Sequence, residues 1–175
     1  MELKKILAER RSTRKFTDRK VEPEVTDRIL EAALTAPSSR NSRSTRIMVV
    51  SNSETLAAIS EMRDYGSAFV KNAPLAFVIA GDTSATDLWR ENCAIAATIL
   101  QLACVDEGLA SCWVHVDGRP QLKDEPDGKQ AVDRLRSLLP LPEEWNVLCV
   151  VAAGYSDFHP APLPEFDWRS AVVKL

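Results

Sequence analysis

Apolar residues recur at the spacing of a helix face in five stretches of the chain. The clearest stretch ends at Pro37, because the residue before a proline resists the helical conformation. Ser53 begins the third stretch as its expected cap, and Gly108 follows the fourth as a helix-ending glycine. The pattern predicts helices over residues 1–11, 23–36, 53–62, 86–107 and 128–140.

Four other stretches are apolar at nearly every position, which is typical of buried strands. They cover residues 45–51, 74–82, 109–116 and 145–155. Strands separated by helices, with one helix buried on nearly every side, predict a three-layer α+β fold around that helix. We find no internal repeat or linker, so residues 1–175 are expected to form a single domain.

The helix expected to be buried contains the most apolar stretch, from Cys93 to Val105. Thr98 and Gln101 interrupt this stretch, and it is too short to span a bilayer. The N-terminal apolar residues are helix-spaced among charges, unlike the continuous core of a secretory signal. We therefore expect a cytoplasmic protein without a membrane partner.

The tail of the chain has a different composition from the rest. Pro160, Pro162 and Pro164 alternate with other residues, which removes backbone donors and favours an extended arm. Such an arm has no obvious surface of its own to pack on. We expect it to lie across a second copy of the chain and to form a homodimer.

Charge is distributed unevenly along the chain. Residues 1–46 contain twelve Lys or Arg and seven Asp or Glu, although the whole chain carries a net charge of −3. The positive charge suits a local anionic ligand, but it is too sparse to indicate a nucleic-acid partner.

The cysteines and histidines do not form a conventional catalytic or metal site in the sequence. The four cysteines stand in apolar surroundings without a C-x-x-C pair, so we expect reduced core thiols and no metal. Neither His115 nor His159 has a nucleophile at a recognisable spacing. Cys112 and His115 are three apart in a predicted strand, where alternation places them on opposite faces.

Positive charge is densest in "RRSTR", residues 10–14. Arg10, Arg11 and Arg14 surround the hydroxyl of Ser12, and a guanidinium fork matches phosphate oxygens, so this segment has the chemistry of a phosphate clamp. A solvated surface run is the alternative interpretation.

A second polar segment, "SSRNSRST", lies between a predicted helix and a predicted strand. Ser38, Ser39 and Asn41 offer small hydroxyl and amide groups that suit a polyhydroxyl chain or the edge of a ring. A plain polar turn would have the same composition.

Six segments in this order resemble the nitroreductase family of FMN-dependent oxidoreductases. They are "RRSTRKF", "APSSRNS", "APLAFVIAGD", "LWRENCAIAATILQLA", "EGLASCWV" and "LCVVAAGYSD", and together they cover nearly the whole chain. The resemblance implies a mixed, mostly antiparallel sheet around the buried helix. It also implies FMN as cofactor and NAD(P)H as electron donor.

The resemblance assigns the residues named above to an FMN site. It implies that Arg10, Arg11, Ser12 and Arg14 contact the phosphate side of FMN. It further implies that Ser38, Ser39 and Asn41 reach the flavin bound by the other subunit of a homodimer. The flavin ring is expected beside Trp113, Val114 and His115. No side chain is expected to act as a catalytic residue, because the cofactor itself carries the electrons.

The expected reaction is ping-pong oxidation of NAD(P)H followed by reduction of a nitroaromatic, a quinone or a similar electron-poor acceptor. No Gly-rich dinucleotide fingerprint is present, so the choice between NADH and NADPH stays open. An FMN-binding sensor, a flavoenzyme specialised for dehalogenation or flavin fragmentation, and a non-enzymatic anion-binding module remain alternatives.

This chain departs from the family pattern at two places. Arg43, Ser44 and Thr45 stand where many members have Gln, Pro and an aromatic residue, which leaves substrate preference open. Many members also supply a C-terminal cation to the phosphate, and here only three residues are available for that role. They are His159, Arg169 and Lys174.

Overall fold

A computed structural model describes residues 2–161 and 163–175, so Pro162 of the predicted arm lies outside the described residues. Its sheet has four strands in the order β1-β2-β4-β3. All three strand pairings are antiparallel. The strands are β1 (Thr45–Val50), β2 (Leu75–Asp82), β3 (Ala110–His115) and β4 (Trp145–Gly154).

In the part of the chain that the structure describes, five α-helices lie close to their predicted positions. They are α1 (Leu3–Glu9), α2 (Pro23–Leu34), α3 (Ser53–Ser60), α4 (Trp89–Asp106) and α5 (Ala131–Leu138). Within the described residues, three short 3₁₀ helices cover Ser39–Asn41, Ala68–Asn72 and Trp168–Ala171.

Helices cover both faces of the sheet, which confirms the three-layer α+β fold. On one face, α2 and α4 pack on a core that includes Phe77 and Leu100. On the other face, α3 and α5 pack on a core that includes Val78 and Leu135. The central strands β2 and β4 are therefore buried along nearly their whole length.

The central helix α4 begins later than its pattern predicts. It starts at Trp89 instead of Thr86, because the Thr86 hydroxyl accepts a hydrogen bond from the Leu88 N–H and forms a turn before the helix. A β-carbon at Gly81 would lie 2.7 Å from Cβ of Trp89, so glycine allows the helix to approach β2. Gly108 ends the helix at φ +76°, as predicted.

Helix α3 begins at Ser53, but its cap is the preceding residue. The side chain of Asn52 accepts a hydrogen bond of 2.9 Å from the Thr55 N–H. The expected capping by Ser53 is therefore wrong, since Asn52 is an equally good N-cap and stands one position earlier.

The tail leaves the sheet after β4 and is exposed. Phe166 is 72% and Val173 is 85% accessible. Apart from the 3₁₀ turn Trp168–Ala171, the described tail residues form no regular element. Among the described residues, no helix is both long and apolar enough to cross a membrane.

Candidate functional site

The arginine-rich segment, residues 10–14, lies along the outer edge of β3. Ser12 forms a parallel bridge with Ser111, and the Thr13 N–H donates a hydrogen bond of 3.0 Å to the Ser111 carbonyl. Farther on, the Thr17 N–H donates to the carbonyl of Tyr155 at 2.8 Å. Residues 10–17 thus cross one end of the sheet, from β3 towards β4.

The extended backbone of this segment separates its arginines into two groups. Arg10, Ser12 and Arg14 lie on the side of Cys112, whose pKa is raised by burial and lowered in part by these three residues. The Arg14 guanidinium also lies 5.7 Å from the ring centre of Phe69. Arg10 and Arg14 therefore act on the same side of the segment.

Arg11 has a different partner from the other two arginines. Its guanidinium donates a hydrogen bond of 2.5 Å to the carbonyl of Ala161 in the tail. With Thr13, it lines a cavity of about 400 Å³ that also contains Ser111 and His159. The structure does not bring Arg11 together with Arg10 and Arg14.

Alternate peptide groups of β3 point away from β4, towards the outer edge of the sheet. The Ser111 carbonyl bonds to Thr13, and the His115 carbonyl accepts a hydrogen bond of 2.7 Å from Arg63. Trp113 lies between them with the same orientation, so its N–H and C=O face the free edge. The peptide groups of Val114 point inward to β4, and its side chain belongs to the core.

His115 is the only described ionisable side chain of β3 besides Cys112. Its ring stacks on Trp113, with the ring centres 6.2 Å apart. Burial and the positive charge of Arg119 lower the pKa of His115, which favours the neutral imidazole.

The second predicted segment forms a strained loop before β1. Arg40, Asn41 and Arg43 have φ values of 51°, 54° and 45°. Asparagine tolerates this left-handed region, whereas an arginine there costs about 1–2 kcal/mol. The surrounding structure must therefore hold the loop in place.

Asn92, at the start of α4, is the main residue that holds this loop. It is buried, and its Oδ1 accepts a hydrogen bond of 2.9 Å from the Ser39 N–H. Its amide group donates to the hydroxyls of Ser42, at 3.2 Å, and Ser44, at 2.9 Å. Sequence reasoning missed Asn92, although an asparagine on the buried side of an apolar helix is a usable signal.

The two predicted segments lie at opposite corners of the sheet. Ser12 lies beside the start of β3, and the loop leads into the start of β1, which is the other edge strand. Strand spacing of about 4.8 Å and a rise of about 3.3 Å per residue place these corners roughly 25 Å apart. Within one chain, the structure does not bring Ser38, Ser39 and Asn41 to the arginine-rich segment.

The larger of the two cavities beside the arginine-rich segment is rich in cations. It has a volume of about 690 Å³ and is lined by Arg14, Lys15, Lys20 and Lys71, with Asp18 as the acidic residue among them. Among the described residues, we find no cluster of metal-ligating side chains.

All four cysteines are buried and free, as expected for reduced core thiols. Burial raises the pKa of Cys93 to about 11 and that of Cys104 to about 12. Neither thiol is therefore a nucleophile at physiological pH.

Comparison with known proteins identifies relatives along most of the chain. The model of the Nitroreductase family matches residues 7–63 and 56–155. A protein of Methanothermobacter thermautotrophicus (strain Delta H), named "Putative NADH dehydrogenase/NAD(P)H nitroreductase", is 34% identical over 95% of this chain and 84% of its own. A Bacillus subtilis (strain 168) FMN reductase that uses NAD(P)H is 35% identical, but over only 46% of this chain and 32% of its own.

A solved structure supports the same assignment. The FMN-dependent nitroreductase from Clostridium difficile R20291 superposes with a TM-score of 0.90 and is 37% identical, covering 97% of this chain and 98% of its own. Sequence and fold therefore agree, and the chain belongs to the nitroreductase family.

Proposed function

We propose that this chain binds FMN, oxidises NAD(P)H and reduces an electron-poor acceptor such as a nitroaromatic or a quinone. The observation that carries the proposal is the position of Arg10 and Arg14 at alternate residues of a segment that is hydrogen-bonded to the outer edge of β3 at Ser111. Relatives named for FMN and NAD(P)H support the choice of cofactor and electron donor.

The residues present fit an anionic cofactor that has a flat ring with a polar edge. Arg10 and Arg14 provide two guanidinium groups for a phosphate, and neither forms an ion pair with a carboxylate in the described part of the chain. The peptide group of Trp113 faces the free edge of β3. Unused polar groups of this kind indicate a ligand or an ordered water.

Bound FMN would supply the two-electron chemistry, while the protein supplies binding and orientation. Arg10 and Arg14 would neutralise the phosphate, with Ser12 as a hydrogen-bond donor between them. Trp113 and the N–H of His115 would orient the polar edge of the ring. Arg63 would fix this edge of β3 through its bond to the His115 carbonyl.

We also propose that each site is built from two chains of a homodimer. The roughly 25 Å between the two segments prevents one chain from placing both on a single flavin. In a symmetric dimer, the Ser38–Asn41 loop of one protomer can cover the site of its partner. The exposed apolar side chains of the tail support such an interface. The four free thiols fit a reducing compartment such as the cytoplasm.

Spectroscopy of the purified protein tests this function. We expect a flavin absorption band that NADH or NADPH bleaches under anaerobic conditions and that an added quinone or nitroaromatic restores. A colourless protein that binds no added FMN would contradict the proposal. Bound flavin that neither donor reduces would instead favour an FMN-binding sensor.

A further inference from the structure

Two arginines, Arg40 and Arg43, lie in the loop before β1, and a third, Arg46, is the second residue of β1. Arg46 is fully engaged: it pairs with Asp82 at 3.3 Å and donates to the Arg43 carbonyl at 2.7 Å. Arg40 and Arg43 are exposed, and neither lies within ion-pair distance of a carboxylate in the described residues. Two guanidinium groups, three positions apart, are therefore available to a ligand.

The loop also determines where these two arginines stand. Both have backbone conformations in the left-handed region, which an ordinary surface arginine avoids. The Arg43 N–H donates to the Ser38 hydroxyl at 2.9 Å, and its Nε–H donates to Oδ1 of Asn41 at 3.3 Å. Arg43 is thus joined directly to two of the residues expected to reach the flavin.

We propose that Arg40 and Arg43 bind phosphate groups of the nicotinamide dinucleotide that donates hydride to the flavin. This inference rests on the proposed function and on its shared site. In that site, Arg10 and Arg14 lie at the FMN phosphate, while Arg40 and Arg43 arrive with the partner's loop. The site then has two separate cationic groups, one for the cofactor and one for the second substrate.

Phosphate is the anion that best fits this pair of arginines. Guanidinium groups bind phosphate oxygens through two parallel hydrogen bonds, and two neighbouring arginines match the charge of a pyrophosphate or a ribose phosphate. An acceptor with a single carboxylate would bind only one of the two guanidinium groups.

Reduction of the flavin by donors with and without phosphate tests the inference. R40Q, R43Q and the double variant remove the charge, while the shorter glutamine side chain still carries an amide N–H donor. In the double variant we expect kcat/KM for NADH and NADPH to fall about tenfold or more, since two charge-assisted contacts are lost. The FMN content and the reaction with 1-benzyl-1,4-dihydronicotinamide, an uncharged donor without phosphate, should be unchanged.

The two dinucleotides distinguish the source of the phosphate. An equal loss for NADH and NADPH assigns the arginines to the pyrophosphate, and a loss mainly for NADPH assigns them to its 2′-phosphate. Added salt should lower kcat/KM for the dinucleotides in the wild type and have less effect in the double variant. K123Q removes one exposed charge elsewhere and serves as the control.

Three results would overturn the inference. An equal loss with the uncharged donor would show a structural role for the arginines. No loss with any donor would show that they are only solvated. A loss confined to carboxylated acceptors would assign the pair to the other half of the reaction. If wild-type protein binds FMN but no donor reduces it, the proposed function itself fails.

Discussion

The Oδ1 atom of Asn92 accepts a hydrogen bond of 2.9 Å from the backbone N–H of Ser39. This contact joins the buried start of the central helix to a loop in which three residues have positive φ. The loop conformation is therefore fixed from the core, and the side chains of Ser38 and Asn41 are presented on a rigid support.

Replacing Asn92 tests whether the loop needs this support. N92A leaves the Ser39 N–H without its partner, so we expect the free energy of unfolding to fall by about 2 kcal/mol. Flavin affinity should fall with it. Urea unfolding and FMN titration measure the two effects. Q101A is a suitable control, because Gln101 lies buried on the same helix and donates a hydrogen bond within that helix, to the Ala97 carbonyl. Equal flavin affinity in N92A and wild type would contradict the role assigned to Asn92.

The separation of the arginines predicts different effects on FMN binding. R10A or R14A each removes a charge-assisted bond to phosphate, worth about 1.5–3 kcal/mol, and should weaken FMN binding tenfold or more. R11A should have a smaller effect, because Arg11 bonds to Ala161 in the tail. Titration of apo-protein with FMN gives the three affinities. Equal losses in all three variants would show that Arg11 also reaches the phosphate.

Glu22 makes the free energy of unfolding depend on pH in the acidic range. Hydrogen bonds from Arg19 and Tyr155 lower the pKa of Glu22 to about 2 from its ordinary value of 4.5. A lowered carboxylate pKa contributes stability above the ordinary value, and this contribution is lost as pH falls from about 4.5 towards 2. E22Q should therefore be less stable than wild type near neutrality, and the gap should narrow in acid. Urea unfolding midpoints of wild type and E22Q across this pH range measure the difference in stability. A difference that does not change with pH would contradict a stabilising role for the ionised Glu22 carboxylate.

Deleting residues 159–175 tests the proposed role of the tail in the dimer. An obligate interface buries more than roughly 2,000 Å², so losing an apolar arm should weaken association. Flavin should be lost at the same dilution, since a site built from two chains depends on protein concentration. Sedimentation followed at the flavin wavelength reads both quantities. F166S should act in the same direction as the deletion, whereas E165S removes a polar tail residue and should not. A folded monomeric truncation that keeps stoichiometric FMN would contradict this role.

The layers of the fold could be predicted from the sequence because they follow from local patterns. Apolar periodicity gives α2 and α4 within three residues, and continuous apolar runs give β2 and β4. The separation of Arg11 from Arg10 depends on the pairing of Ser12 with Ser111, which are far apart in the chain. The role of Asn92 depends on a contact across about fifty residues with Ser39. Non-local contacts of this kind leave no periodic pattern in the sequence.

A mixed dimer tests most directly whether two chains build each flavin site. One chain carries R10Q and R14Q. The other carries S39A and N41G, in which glycine accepts the positive φ of Asn41 without its amide. Two different affinity tags allow the mixed dimer to be purified after coexpression. In a symmetric shared-site dimer, about half of its sites combine two unaltered segments and should bind FMN. Dimers of either variant alone should bind none. A mixed dimer without flavin would show that both segments act within one chain and would contradict the shared site.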